Sequence, residues 1–363
     1  MSTTIDFTRG VPAPESFPLE QLAECSAAIV TGQYGAQVLQ YGPGAGFAPL
    51  REWLAERHGV AANQVLLGNG SLQILDFMGL ALLEPGDTVF VESPTYDRTI
   101  TILRRHGARV VGVSMENDGP DVDAFEQALH GTTPKLAYLI PDFQNPSGAT
   151  AALAKRRRLA ELADRHGFWL VEDAPYRPLR YRGEQLPTLA DLAPTRTLQL
   201  SSFTKQIGPG VRVGYLIGDA AIVARLTKAA SDTYITPNLL GEAAVYEFCR
   251  RGWLEPQLQR LRALYRPRLE AISAALRQYL PEARWIEPDG GFFLSVTLPE
   301  GVTAEALRAA GTAAGLALSD GRGFFPNPAD GERFLRLPFC ALTPEQLEDG
   351  IARLASVVAQ VSG

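Results

Sequence analysis

Between Val65 and Ile217 the chain alternates short apolar runs with longer amphipathic ones. The runs Val65–Gly68, Thr88–Glu92, Val110–Val113, Leu136–Ile140, Phe168–Val171, Thr197–Leu200 and Val213–Ile217 have the length and residue types of buried strands. Ser71–Leu83, Tyr96–His106, Val122–His130 and Ala151–His166 read as helices between them. Such alternation builds a mostly parallel sheet with helices on both faces. Ligands of these sheets sit beyond the carboxyl ends of the strands. A helix from about Leu19 to Val30 and another at Pro49–His58 come first. After residue 220 the pattern changes. A helical region from Ala221 to Leu280, broken near Thr236-Pro237 and Gly252, leads to strand-like runs Gly290–Val296 and Arg333–Leu337. Helices at Ala304–Gly315 and Thr343–Gln360 flank the second run. The expected fold is therefore α/β with a smaller α+β domain. The expected boundaries are 1–30 for an N-terminal arm joining the small domain, 31–255 for the large domain and 256–363 for the small one.

A chain of 363 residues is long for a single core, which agrees with two domains. Hydrophobic residues at 46% and charged residues at 20% are ordinary for a soluble protein. The formal charge of −6, with no basic domain, argues against nucleic acid as a partner. The run Lys155-Arg156-Arg157-Arg158 reads as a solvated helix face. Three widely spaced cysteines without C-x-x-C fit a reducing compartment. With no signal-peptide pattern and no membrane-length apolar run, the expectation is a cytoplasmic protein that meets no membrane. Each of His58, His106, His130 and His166 precedes a glycine and reads as a helix C-terminus. That leaves Lys, Tyr, Asp and Arg to carry chemistry.

The residues that follow the strands have a common theme. Ser202-Phe203-Thr204-Lys205 and Gly210-Val211-Arg212-Val213-Gly214 place a lysine and an arginine among hydroxyls and glycines. An enclosed lysine can act as an amine nucleophile toward an aldehyde. Hydroxyls and an arginine suit a phosphate. A cofactor carrying both groups is pyridoxal 5′-phosphate; a solvated turn lysine is the plain alternative. Gly68-Asn69-Gly70-Ser71-Leu72 opens a helix after a strand, where amides favour an anion or where Ser71 simply caps the helix. Asp173 ends a buried run and needs a partner. A protonated pyridine nitrogen would serve, and so would Arg177 or Arg180. Asn145, before Pro146, and Tyr176 could hold a ring hydroxyl, and Tyr96 could stack on a ring; a plain turn and ordinary packed aromatics are the alternatives.

Taken together these segments resemble the fold-type-I pyridoxal-phosphate aminotransferases of class I/II. The resemblance is to the branch of 2-aminoadipate (LysN-like) aminotransferases and the aminotransferase half of MocR-type regulators. It is carried by Gly10-x-Pro12-x-Pro14-Glu15-x-Phe17-Pro18, Gln40-Tyr41-Gly42-Pro43, Pro94-x-Tyr96-Asp97, Gln144-Asn145-Pro146-Ser147-Gly148, Glu172-Asp173-x-x-Tyr176, Ser202-x-Thr204-Lys205, Pro209-Gly210-x-Arg212 and Leu335-Arg336-Leu337. The resemblance implies that Lys205 forms an internal aldimine and moves the substrate proton, and that Asp173 meets the pyridine nitrogen. Asn145 and Tyr176 would hold the ring oxygen and Tyr96 the ring face. Gly70, Ser71, Leu72, Ser202 and Arg212 would hold the phosphate. Tyr41 would reach the phosphate of a neighbouring subunit in a homodimer with shared active sites. Arg336, with Asn145, would bind a substrate α-carboxylate, with Gly10 and Arg9 beside it.

The implied reaction moves the amino group of an L-amino acid to a 2-oxo acid such as 2-oxoglutarate. Elimination, cyclisation or oxidation on the same cofactor, or a non-catalytic cofactor-binding sensor, remain open. The chain begins close to the Gly10-x-Pro12 segment, without the preceding helix that supplies an arginine in LysN-like relatives or a helix-turn-helix domain. Arg9, where relatives often have glycine, is the candidate to replace that arginine or to narrow the pocket.

Overall fold

The computed structural model describes residues 4–362. Its main sheet has eight strands in the spatial order Val65–Gly68, Gly214–Ile217, Thr197–Ser202, Trp169–Asp173, Leu136–Leu139, Thr88–Ser93, Arg109–Glu116 and Gly119–Pro120. Gly214–Ile217 and the two-residue Gly119–Pro120 run against the other strands. The central strands are buried on both faces because helices cover both sides. Alternate residues serve the two layers. Val89, Val91 and Tyr138 face the helices Ser71–Leu82 and Ala220–Tyr234, while Phe90, Ala137 and Leu139 face Val122–Gly131 and Leu153–His166. Period-two side-chain alternation thus fills two cores from one sheet.

Helix ends follow their local chemistry. The Asp121 carboxylate accepts from the Asp123 and Ala124 amides and starts Val122–Gly131. Gly59, Gly107 and Gly167 take left-handed conformations just after His58, His106 and His166. His130 departs from the expectation: Gly131 continues the helix, which closes at Thr132.

The last third of the chain forms a three-stranded antiparallel sheet of Arg284–Trp285, Phe293–Thr297 and Phe334–Pro338. The helices Leu254–Tyr279 and Pro344–Ser362 pack behind it, burying Leu269, Ile272, Leu347 and Ile351 with Leu294 and Leu335. Ile5–Phe7 pairs in parallel with Leu316–Leu318, so the first described residues are tied to the C-terminal part. Both of those strands, Arg284–Trp285 and Gly119–Pro120 are too short to show a sequence period, and the sequence reading missed all four. Among the described residues no helix is long and apolar enough to cross a membrane.

Candidate active site

The loops at the carboxyl ends of the parallel strands, with the N-terminal segment and Arg336, enclose a cavity of about 570 Å³. Arg9, Gly10, Gly70, Ser71, Leu72, Tyr96, Asn145, Asp173, Tyr176, Ser202, Lys205, Arg212 and Arg336 all line it. Tyr41 does not. It is 73% exposed. A larger groove of about 920 Å³, between Met115–Asn117 and Arg284–Ile286, holds none of the expected residues.

Lys205 lies just past Thr197–Ser202. Its Nζ donates to the Gly10 carbonyl at 3.1 Å and sits 5.9 and 5.4 Å from the ring centres of Tyr176 and Phe292. Burial pulls its pKa below the ordinary lysine value, and the nearby Arg336 acts in the same direction. No carboxylate lies within ion-pair distance of it among the described residues. The amine therefore loses its proton more readily than a surface lysine.

Asp173 ends its strand in the same cavity. Oδ2 accepts from the Tyr138 hydroxyl at 2.5 Å, while the buried Oδ1 has no partner among the described residues. Burial pushes its carboxyl up to about 6, against the opposing pull of the phenol. Arg177 and Arg180 turn instead to Asp142, at 2.8 and 3.5 Å. The arginine alternative for Asp173 is thus excluded.

The other end of the cavity is open to an anion. Gly70, at φ +98°, precedes helix Ser71–Leu82, and no side chain caps that helix. Ser71 is its first residue rather than its cap, so the Ser71 and Leu72 amides stay available. Arg212 Nη2 donates to the Asn69 carbonyl at 2.6 Å. A Cβ on Gly70 would come within 2.5 Å of that nitrogen, and one on Gly214 within 2.2 Å of the Ser71 amide. Both glycines are required for this close approach. Ser202 Oγ accepts from the Thr204 amide at 3.0 Å on the same side.

Arg336 Nη1 donates to Asn145 Oδ1 at 3.2 Å, and Nη2 donates to the Thr8 carbonyl at 2.9 Å. Its Nε has no partner. The guanidinium lies 4.7 Å from the ring centres of both Phe293 and Phe324. Arg9 lines the cavity as an exposed side chain with no ion pair among the described residues.

Residues 17–354 match the family model for aminotransferase class I and II. The chain belongs to the class I and II aminotransferases. It is 37% identical to a 2-aminoadipate transaminase of Thermus thermophilus, over 96% of this chain and 89% of that protein. It is 33% identical to aromatic-amino-acid aminotransferase 1 of Thermococcus litoralis, over 98% and 88% of the two chains. The crystal structure of LysN, an alpha-aminoadipate aminotransferase from Thermus thermophilus complexed with N-(5′-phosphopyridoxyl)-L-leucine, superposes with a TM-score of 0.93. The two are 35% identical, and the match covers 99% of this chain and 92% of that one. Fold type I, aminotransferase activity and pyridoxal 5′-phosphate as cofactor therefore agree with the expectation from the motifs.

The cavity of this aminotransferase suits that cofactor on its own evidence. It offers an anion cradle of open amides, a buried carboxylate oxygen in want of a donor, and a half-buried amine, all facing one space. Three residues of the site, Tyr138, Thr8 and Phe293, carry no sequence signal of their role. Tyr138 looks like one more apolar strand residue, and only its place opposite Val171 sets it beside Asp173. Thr8 acts through its carbonyl, which no motif encodes. Phe293 and the segment of Phe324 were visible as aromatics, but their packing on Arg336 was not.

Proposed function

We propose that this chain moves the amino group of an L-amino acid to a 2-oxo acid, with 2-oxoglutarate the expected acceptor, and that Lys205 is the residue bonded to the cofactor aldehyde. The observation that carries this reading is a half-buried lysine, with no carboxylate in ion-pair distance among the described residues, in one cavity with a buried aspartate that keeps one oxygen open. When bound, pyridoxal 5′-phosphate supplies an aldehyde that captures amines and a ring that accepts the electron pair released at the substrate α-carbon.

The chain's own residues do the rest. Lys205 Nζ, made less basic by burial, would take the proton from the substrate α-carbon and pass it to the carbon that carried the cofactor aldehyde. Asp173 Oδ1 would accept a hydrogen bond from the protonated ring nitrogen, and its charge would keep that proton in place. Asn145 and Tyr176 would hold the ring oxygen, and Tyr96 would cover the ring face. The Gly70, Ser71 and Leu72 backbone, Ser202 and Arg212 would bind the phosphate. Arg336 clamps the substrate carboxylate, its guanidinium held between two aromatic rings. Binding there replaces the Thr8 carbonyl as partner of Nη2. Arg9 and Gly10 border the substrate side chain.

The exposure of Tyr41, outside its own cavity, supports a homodimer in which it completes the neighbour's phosphate site. An arm of residues 1–30, a large domain of 31–255 and a small domain of 256–363, in a cytoplasmic enzyme, complete the reading.

The test is a visible spectrum of purified protein loaded with cofactor, taken with one amino acid at a time. A band bleached by particular donors and restored by 2-oxoglutarate is expected. Ammonia release without an acceptor would assign elimination or oxidation instead. A band that no amino acid alters would point to a sensor. Failure to load the Lys205→Ala variant covalently, with the unchanged protein loaded, checks the lysine.

A further inference from the structure

Two aspartates are buried near the strand ends, and the fold treats them differently. Asp142 is met by Arg156, Arg177 and Arg180. Asp173 receives a single neutral donor, the Tyr138 phenol. We propose that Tyr138 is a positioning residue for the aminotransferase reaction: its hydroxyl occupies Asp173 Oδ2 and holds the carboxylate ionised, leaving Oδ1 as the acceptor for a proton on the cofactor ring nitrogen. This inference rests on the reading of Asp173 given above.

The geometry comes from strand register. Tyr138 stands opposite Val171 on the neighbouring parallel strand, and Asp173 is two residues further along the same face. The ring is completely buried in the layer that also holds Val89, Val91 and Val171, with the buried Thr99 hydroxyl beside the phenol. A buried hydroxyl needs a polar partner, and the acceptor of this one is Asp173 Oδ2. A phenol donates more strongly to an ionised carboxylate than to a neutral one. It therefore opposes the desolvation that drives Asp173 toward its protonated form. A cationic donor would also hold the aspartate ionised, but would cancel the charge that attracts a protonated ring. A neutral donor holds the charge and leaves it unspent. For a proton shared between Oδ1 and a ring nitrogen, the phenol biases its position toward nitrogen, the state in which the ring withdraws electrons best.

The protein is reconstituted with cofactor labelled with ¹⁵N in the ring, and the nitrogen chemical shift is read in the unchanged chain, Tyr138→Phe and Asp173→Asn. The expected signals are protonated in the unchanged chain and unprotonated in Asp173→Asn. In Tyr138→Phe the ratio of protonated to unprotonated nitrogen should fall roughly 10- to 100-fold, the weight of one hydrogen bond to a charged group. kcat should fall with it while KM for the amino donor changes little. If Asp173→Asn shifts the nitrogen and Tyr138→Phe does not, the role of Tyr138 is overturned and that of Asp173 stands. If neither variant moves it, the Asp173 reading fails and this inference with it. Site-specific fluorotyrosines at 138 retain the donor and should keep the nitrogen protonated; its loss there would overturn the proposal. Should Tyr138→Phe not fold, the fluorotyrosine series decides. The nitrogen shift must track phenol acidity, and a shift indifferent to it overturns the inference.

Discussion

Asp142→Asn should destabilise the protein more than any change on its surface. The Asp142 and Arg156 side chains are both fully buried, with Nη2 2.8 Å from Oδ1. Arg156 Nη1 reaches Oδ2 at 3.2 Å, and Arg177 Nη1 reaches the same oxygen at 2.8 Å. Arg180 Nη2 stands 3.5 Å from Oδ1 and makes no hydrogen bond of its own. Burial raises the Asp142 pKa, yet Arg156 and Arg177 together hold it below the ordinary aspartate value, while Arg180 lies between this carboxylate and that of Asp289, 3.7 Å away. An amide removes the charge and presents an N–H to an arginine. Stranding buried charges in this way costs about 3–5 kcal/mol. At about 1.4 kcal/mol per tenfold, the folded-to-unfolded ratio should drop roughly a hundredfold or more. The assay is urea unfolding at fixed protein concentration without added cofactor, comparing midpoints and slopes. Lys228→Gln serves as control, because its pair with Asp232 leaves the two side chains 77% and 63% exposed; it should change stability by less than about 1 kcal/mol. Arg156→Met combined with Asp142→Asn should lose less than the sum of the two single changes, by about 1–3 kcal/mol. A loss below about 1 kcal/mol for Asp142→Asn, or strict additivity of the pair, would refute the charge argument.

Gly214→Ala would force a Cβ to 2.2 Å from the Ser71 amide, so the cradle must shift. Equilibrium titration should find pyridoxal 5′-phosphate bound at least about tenfold more weakly, roughly the 1–3 kcal/mol of an overpacked site. Arg336→Lys loses the planar fork between Phe293 and Phe324; kcat/KM for the amino donor should fall about a hundredfold, with the cofactor spectrum unchanged. Glu242 is buried with, among the described residues, only the Phe47 amide as hydrogen-bond partner, and burial pushes its carboxyl from 4.5 up to about 8 against that bond and the charge of Arg51. A raised carboxyl favours the folded state below its unfolded pKa and loses that contribution as pH rises through the folded one. The group therefore removes about 3 kcal/mol between pH 5 and pH 8, at ~1.4 kcal/mol per unit. Thermal unfolding across that range should show a flatter profile for Glu242→Gln than for the unchanged chain, and parallel profiles would contradict the assignment.

The sequence by itself determined the longer strands of the main sheet, the long helices that alternate with them and the residues that follow those strands. Those features are local: buried strands are short apolar runs, Asp173 ends one, and Gly70, Asn145 and Lys205 stand two, six and three residues beyond others. A parallel sheet brings such steps to a single edge, which is why so much of the cavity could be named in advance. Tertiary structure decided which partner each group meets. Arg177 and Arg180 are as close in sequence to Asp173 as any cation, yet they serve Asp142, because the chain after Asp173 carries them to the loop beyond Leu136–Leu139. Tyr138 reaches Asp173 through the register of two parallel strands, and a one-residue slip would turn it to the opposite helix layer. Thr8 and Gly10 meet Arg336 and Lys205 through carbonyls that every residue type carries. Strands of two or three residues, such as Ile5–Phe7, exist only because a partner strand is there to pair with. Local pattern sets the elements and their ends; register, burial and the competition of cations for carboxylates are settled only when the layers come together.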